Sequence, residues 1–291
     1  MTGRFDRQIA LFGKEGQARI AAARVAVVGA GGLGSHVIQQ LALLGVERFD
    51  VIDSEELADT NRNRYVTARF DDPVSGTLKV DIAERLIKSI NPETAVVKVA
   101  DSMVSVEAFN AIIAADYVFG CLDCEGARLI LNELCAAYVR PYWDLASDVV
   151  PGESPEYGGR LCVSTWSEYG CLACRGLLDL DEAQLDLAGP EAQRDRQRIY
   201  GIDAALLGRS GPSVVSINGV VASLAVTEFM VAVTGLRPPK EVIKYYGKMG
   251  RLTSPADAPA ADCYYCLAIR GFGDRADVQH YVRDGVGAFL R

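Results

Sequence analysis

An α/β fold built on a mostly parallel sheet with helices on both faces is what this sequence predicts, and three observations predict it. Short apolar runs of strand length alternate with longer segments of helical periodicity through the first half of the chain. A glycine turn, Gly29-Ala30-Gly31-Gly32-Leu33-Gly34, joins the apolar run Val25–Val28 to the next helix. The chain has 291 residues, 49% hydrophobic and 23% charged, enough for one large core or two lobes.

Taken in order, a helix over residues 6–22 opens the chain and leads into the strand 24–29, which feeds the glycine turn. The turn opens the helix 34–45, and the apolar run Phe49-Asp50-Val51-Ile52 makes the strand 48–52. The helix 76–90 carries Lys79 in its first turn, and the strand 95–100 and helix 105–114 come after it. Asp116-Tyr117-Val118-Phe119-Gly120 reads as a strand, residues 126–138 as a helix with an apolar face through Leu134 and Cys135, and residues 141–145 as the next strand. This is a Rossmann-like rhythm.

After Pro151 the pattern changes, with a strand at 160–166, where Cys162 alternates with Leu161 and Val163 as packing. A first Cys-x-x-Cys pair and a polar stretch with Pro and Gly at 179–211 come next, suited to a crossover loop above a site. Residues 213–234 are long and apolar, but Asn218 and Glu228 interrupt them, so they read as a buried helix at a dimer contact and not as a membrane span. Residues 241–247 form a late strand, and 255–259 a loop before the second Cys-x-x-Cys pair. One domain over 1–291 is expected, with a nucleotide-binding part at 1–150 and a part at 151–291 that carries the crossover, a zinc staple and the partner surfaces.

Gly29, Gly31 and Gly34 satisfy G-x-G-x-x-G, so backbone N–H groups at a helix N-terminus can face a phosphate with no Cβ in the way. Asp53, twenty-one residues after Gly32 at the end of the next strand, is placed to hold a ribose hydroxyl. That much is shared by NAD and ATP sites. The downstream residues favour ATP: the loop Asp59-Thr60-Asn61-Arg62-Asn63-Arg64 and Lys79 form a cationic cluster for which hydride transfer has no use. Adenylyl transfer needs such groups, because charge builds on the phosphate oxygens and on the departing pyrophosphate. Asp123, in Cys121-Leu122-Asp123-Cys124 at the carboxyl end of a strand, is a hard carboxylate suited to Mg²⁺.

On these residues, the chain resembles the ubiquitin-activating superfamily of the ThiF, MoeB and HesA type. The family's Arg-x-x-Arg-Gln reads Arg4-Phe5-Asp6-Arg7-Gln8, and its Ser-Asn-x-x-Arg reads Thr60-Asn61-Arg62-Asn63-Arg64. Its Asp-Asn-x-x-x-Arg reads Asp123-Cys124-Glu125-Gly126-Ala127-Arg128. The resemblance implies a homodimeric ATP-dependent adenylyltransferase that activates the C-terminal carboxylate of a ubiquitin-like or sulfur-carrier protein ending in Gly-Gly. A bacterial ubiquitin-like conjugation system with a conjugating enzyme is one implied setting. It implies nucleotide binding by Gly29, Gly31, Gly32, Gly34, Asp53, Asn61, Arg64, Lys79, Asp123 and Cys124. Arg64, Lys79, Asp123 and an Arg7 reaching in from the partner subunit would be catalytic. Two departures stand out: Cys124 replaces the usual Asn, and the Arg64-to-Lys79 spacing is slightly longer than the family's.

Eight cysteines and a charged N-terminus without an apolar leader make a reducing cytoplasm the expected compartment. Cys171-x-x-Cys174 and Cys263-x-x-Cys266 are read as a tetrahedral Zn²⁺ site joining distant parts of the chain, with redox pairs or free thiols as the alternatives. The family's thioester-forming cysteine falls in the crossover, yet residues 175–212 hold no cysteine, so the acyl adenylate passes to an external nucleophile or Cys124 serves by proximity. A net charge of −8 argues against general nucleic-acid binding. The chain has two histidines, and His36 reads as an uncharged, partly buried helix residue, so no hydrolase triad is in sight. An NAD-dependent oxidoreductase and a non-catalytic scaffold subunit remain the alternative functions.

Overall fold

The computed structural model describes residues 3–167, 170–189 and 212–286. Eight strands form one sheet in the order β3-β2-β1-β4-β5-β6-β7-β8. They are β1 (Arg24–Val28), β2 (Arg48–Ile52), β3 (Ala95–Val99), β4 (Tyr117–Gly120), β5 (Tyr142–Val150), β6 (Glu156–Ser164), β7 (Val242–Tyr246) and β8 (Arg251–Thr253). The first five run parallel, with Val28 opposite Ile52 on one side and Gly120 on the other. The last three are antiparallel additions.

Helices α1 (Asp6–Ala22), α2 (Gly32–Leu44), α3 (Lys79–Ile90) and α7 (Val215–Thr234) cover one face through Ile20, Val37, Leu41, Val80, Ile87 and Phe229. Helices α4 (Val106–Ala114), α5 (Glu125–Ala137) and α6 (Leu180–Leu187) cover the other through Phe109, Ile112, Ile130, Leu134 and Ala183, joined by the four paired cysteines. Successive residues of the central strands alternate between the faces: Val118 and Tyr142 pack with the second set, Phe119 and Trp143 with the first. Connections leave β1 and β4 toward opposite faces, so these neighbours bracket the switch point at which open α/β sheets bind ligands.

Three expectations need correcting. The third helix begins at Lys79, not at residue 76: Gly76 has φ +87° and Leu78 bridges back to Glu56, which holds 76–78 extended. β5 continues to Val150 and pairs with β6 from Val150↔Glu156 to Tyr142↔Ser164, so the change of pattern after Pro151 is a hairpin turn within one sheet. The stretch read as crossover loop from 179 opens with the helix α6; residues 190–211 lie outside the described residues.

α7 is the one described helix long and apolar enough to cross a membrane, but most of it is buried in this core against α2 and α1. Its buried Glu228 is paired with Arg237 by two bonds of 2.7 Å and accepts the Lys240 N–H.

Candidate nucleotide site and cysteine cluster

The glycine turn has the shape its residues demand. Gly29 takes φ +89°, and a Cβ there would lie 2.6 Å from the Cys121 carbonyl oxygen. A Cβ on Gly34 would lie 1.9 Å from the Gly29 oxygen, which no side chain tolerates. Gly31 is the N-cap of α2 with no side chain capping it, so the first N–H groups of that helix remain open to an anion.

Around this turn the structure gathers most of the sequence-assigned residues. Asp53 closes the loop from the β2 end: Oδ2 accepts from Ala30 N at 2.7 Å and Oδ1 from Glu55 N at 2.8 Å. Burial raises its carboxyl above the ordinary value, opposed by Lys79 and these two N–H groups. Lys79, the first residue of α3, is buried, and its Nζ comes within 3.9 Å of where a Gly31 Cβ would stand. Arg64 lays its aliphatic stem over Gly32, with Cγ and Cδ 3.1 and 3.2 Å from the Cβ position, and donates to the Thr60 carbonyl at 2.5 Å. Asn61 shapes its loop by accepting from Ala58 N at 3.0 Å.

Asp123 lies exposed at the carboxyl end of β4. Desolvation by its surroundings raises its carboxyl, Glu55 adds to that, and Lys79 and Arg64 oppose it, so the four charged groups share one region. Cys124 caps α5 by accepting from Ala127 N at 3.4 Å. Its thiol is pushed up to about 12, chiefly by burial, and the half-buried Cys121 is raised as well. Neither is poised as a thiolate at neutral pH. Arg128 of α5 turns inward and is paired with the buried Asp144, which also accepts from Tyr142 OH at 2.9 Å and Arg160 Nη1 at 3.3 Å. That ionic cluster ties α5 to β5 and β6.

Arg7 is not brought to this cradle. It is exposed in the first turn of α1, whose Gln8 and Gln17 bond the Leu43 and Leu44 carbonyls at the far end of α2. His36, just inside α2, is half-buried, and burial lowers its pKa, so it is neutral near pH 7.

Sequence reasoning missed four contributors. Glu55 pairs with Lys79. Ser35 Oγ accepts from Val66 N at 3.1 Å and ties α2 to the arginine loop. Tyr65 OH donates to the Lys79 carbonyl at 2.9 Å. Asn218, at the start of α7, brings its amide nitrogen within 2.9 Å of the Gly32 Cβ position. The signals were thin: an acid two residues past Asp53, and a lone Asn in an apolar run.

The sulfurs of Cys171, Cys174, Cys263 and Cys266 lie within 4.8 Å of one another, all buried. Cys171–Cys263 and Cys174–Cys266 are 3.5 and 3.9 Å apart, bracketing the edge of about 3.8 Å expected for four thiolates at about 2.3 Å from a tetrahedral Zn²⁺. Gly170 N donates to Cys174 Sγ at 3.2 Å, and hydrogen bonds lower that thiol below its ordinary value. The donor set and its spacing fit zinc. The site joins the loop after β6 to residues 263–266, and Leu172 N within it donates to Asn132 of α5 at 3.2 Å.

The ThiF family profile matches residues 5–265. The SAMP-activating enzyme E1 of Haloferax volcanii is 35% identical over 134 residues, covering 45% of this chain and 49% of that protein. The bovine (Bos taurus) adenylyltransferase and sulfurtransferase MOCS3 is 30% identical over 173 residues, covering 59% of this chain and 36% of that protein. The chain thus spans about half the length of the first relative and about a third of the second. The structure of E. coli MccB with ATP superimposes with a TM-score of 0.70 at 19% identity, over 93% of this chain and 75% of that one, a likeness of fold.

Proposed function

The chain belongs to the ThiF family, and from that premise we propose that it is an ATP-dependent adenylyltransferase. Its substrate is the C-terminal carboxylate of a ubiquitin-like or sulfur-carrier protein ending in Gly-Gly. The carrier carboxylate attacks the α-phosphate, an acyl adenylate forms, and pyrophosphate leaves. The observation that carries this reading is the convergence of the glycine turn, Asp53, Lys79, Arg64 and Asp123 at the switch point of the sheet. The names of the Haloferax and bovine relatives point the same way.

Each residue has a job in that chemistry. The open N–H groups at the start of α2 face the phosphates, and Asp53 takes the ribose. Lys79 and Arg64 offset charge as it develops on the phosphate oxygens, and their fixed placement means little reorganisation at the moment of transfer. Asp123 would hold Mg²⁺, which would supply charge neutralisation for the phosphates. Arg7 acts in trans, within a homodimer. α2 has 13 residues and is about 20 Å long, and α1 is bonded to its far end, so Arg7 stands well beyond an arginine's reach of its own cradle.

The four paired cysteines would hold a structural Zn²⁺, closed to substrate by burial. Thiols kept reduced for that role match a cytoplasmic setting. With Cys124 protonated, the acyl adenylate passes to an external nucleophile such as a conjugating enzyme or a sulfur donor.

Incubation with ATP, Mg²⁺ and a carrier ending in Gly-Gly tests the reading by intact mass and pyrophosphate release. A carrier bearing one adenylyl group, with equimolar pyrophosphate, is expected. ATP cleavage to ADP and phosphate with no carrier adduct would overturn it.

A further inference from the structure

Glu55 holds the lysine on which the proposed phosphate chemistry depends. Its carboxylate forms a salt bridge with Lys79 Nζ, and its carbonyl accepts from Lys79 N at 3.0 Å. Its own N–H is fixed by Asp53 Oδ1 at 2.8 Å. The two partners differ in exposure. The Lys79 side chain is 8% exposed and Nζ faces Gly31, whereas the Glu55 side chain is 55% exposed.

A buried ammonium needs a counter-charge. A phosphate seated over Gly31 would offer one, and would compete with Glu55 for the same three N–H donors. Glu55 can release the lysine at little cost, because its carboxylate regains water as it lets go.

We infer that Glu55 is an internal counter-ion for the phosphate site. With the cradle empty it pairs with the Lys79 ammonium and holds it aimed at Gly31. It yields the ammonium to the triphosphate when ATP binds and takes it back as pyrophosphate leaves. This rests on the reading of the cradle as an ATP site. It assigns Glu55 to nucleotide exchange, a positioning role that acts through Lys79.

The inference makes a signed prediction that a merely structural role would not. A structural Glu55, once replaced, would loosen α3 and weaken nucleotide binding. A competing counter-ion, once neutralised, tightens it. Calorimetric titration of the full chain with ATP, and separately with pyrophosphate, compares the native protein with Glu55→Gln, Glu56→Gln and Lys79→Met. Glu56 is the control for a general change of field: it is the next residue in the chain, and its carboxylate accepts from Gly76 N at 2.9 Å.

Glu55→Gln is expected to lower Kd for both ligands roughly two- to fivefold, the range set by exposed ion pairs. Glu56→Gln should leave both unchanged, and Lys79→Met should weaken both. Unchanged or weaker binding in Glu55→Gln, with Lys79→Met still weakening it, overturns the counter-ion and leaves the ATP site standing. Equal tightening by Glu56→Gln also overturns it, since the effect would then be the general field. If Lys79→Met binds ATP as tightly as the native protein, the phosphate assignment itself falls.

Discussion

At the scale of single residues, the glycine turn holds positions where no side chain fits. Gly34 is the sharpest case, because the Gly29 carbonyl occupies the space a Cβ would need, 1.9 Å away. Gly34→Ala must open the turn that aims the N–H groups of α2. ATP binding is expected to fall below detection, with stability reduced by about 2–4 kcal/mol, a loss in the range of strained or overpacked positions. Gly152→Ala, where nothing lies within 4 Å of the added carbon, is the matched control and should change neither. Calorimetry and urea unfolding read both quantities. The glycine turn, Asp53, Lys79 and Asp123 were legible in the sequence because the motif spacing sets each of them relative to a strand end or helix start. Glu55 was not, since its role depends on an α3 that starts 24 residues later. Cys124 was legible as a departure from the family's pattern, but its state depends on burial and on its place as the cap of α5.

At the scale of elements, the loop between Arg64 and Lys79 is the clearest piece of local construction. Arg62 donates to the Phe70 carbonyl at 3.1 Å and the Asp72 carbonyl at 2.6 Å. Arg85 of α3 grips the Asp72 carboxylate at 2.6 and 2.7 Å and the Thr67 carbonyl at 3.0 Å. That bidentate grip holds the Asp72 carboxyl at about 2, below its ordinary 3.8. A folded-state value below the unfolded one means stability that is fully present above about pH 4 and lost as pH falls toward 2. Asp72→Asn should therefore destabilise the protein at pH 7 and by distinctly less at pH 3, measured by urea unfolding at the two values. A loss equal at both would show that the carboxylate charge does not clamp the loop. The central parallel strands β1, β2 and β4 were legible because each is a short run buried on both faces. The far half of β5 was not: from Ala146 to Val150 it is half-exposed, and its polar Ser147 and Asp148 look like loop until β6 pairs with them. Nor was the start of α3, whose N-cap, Leu78, offers no side-chain cap to read.

At the scale of the whole molecule, one sheet carries the cradle on its parallel half and continues as an antiparallel extension through β6, β7 and β8. Asp144 on β5 accepts from both Arg128 of α5 and Arg160 of the adjacent β6, and so ties the two halves together. α1 is fixed to the far end of α2, so under the proposed function each cradle would take Arg7 from a second subunit. Arg7→Ala and Lys79→Ala should each abolish carrier adenylation alone. Mixed after dissociation and reassociation, they should regain about a quarter of native activity, because half the dimers are mixed and each of those has one intact shared site. No recovery on mixing would place Arg7 outside the partner's site.

ATP–pyrophosphate exchange with a panel of carrier proteins ending in Gly-Gly tests adenylyl transfer at the switch point. Label exchange is expected to require a matching carrier and to be lost in Asp123→Ala, with the variant's unfolding curve unchanged. Exchange that persists in Asp123→Ala, or that proceeds equally well with carriers lacking the terminal carboxylate, would contradict it.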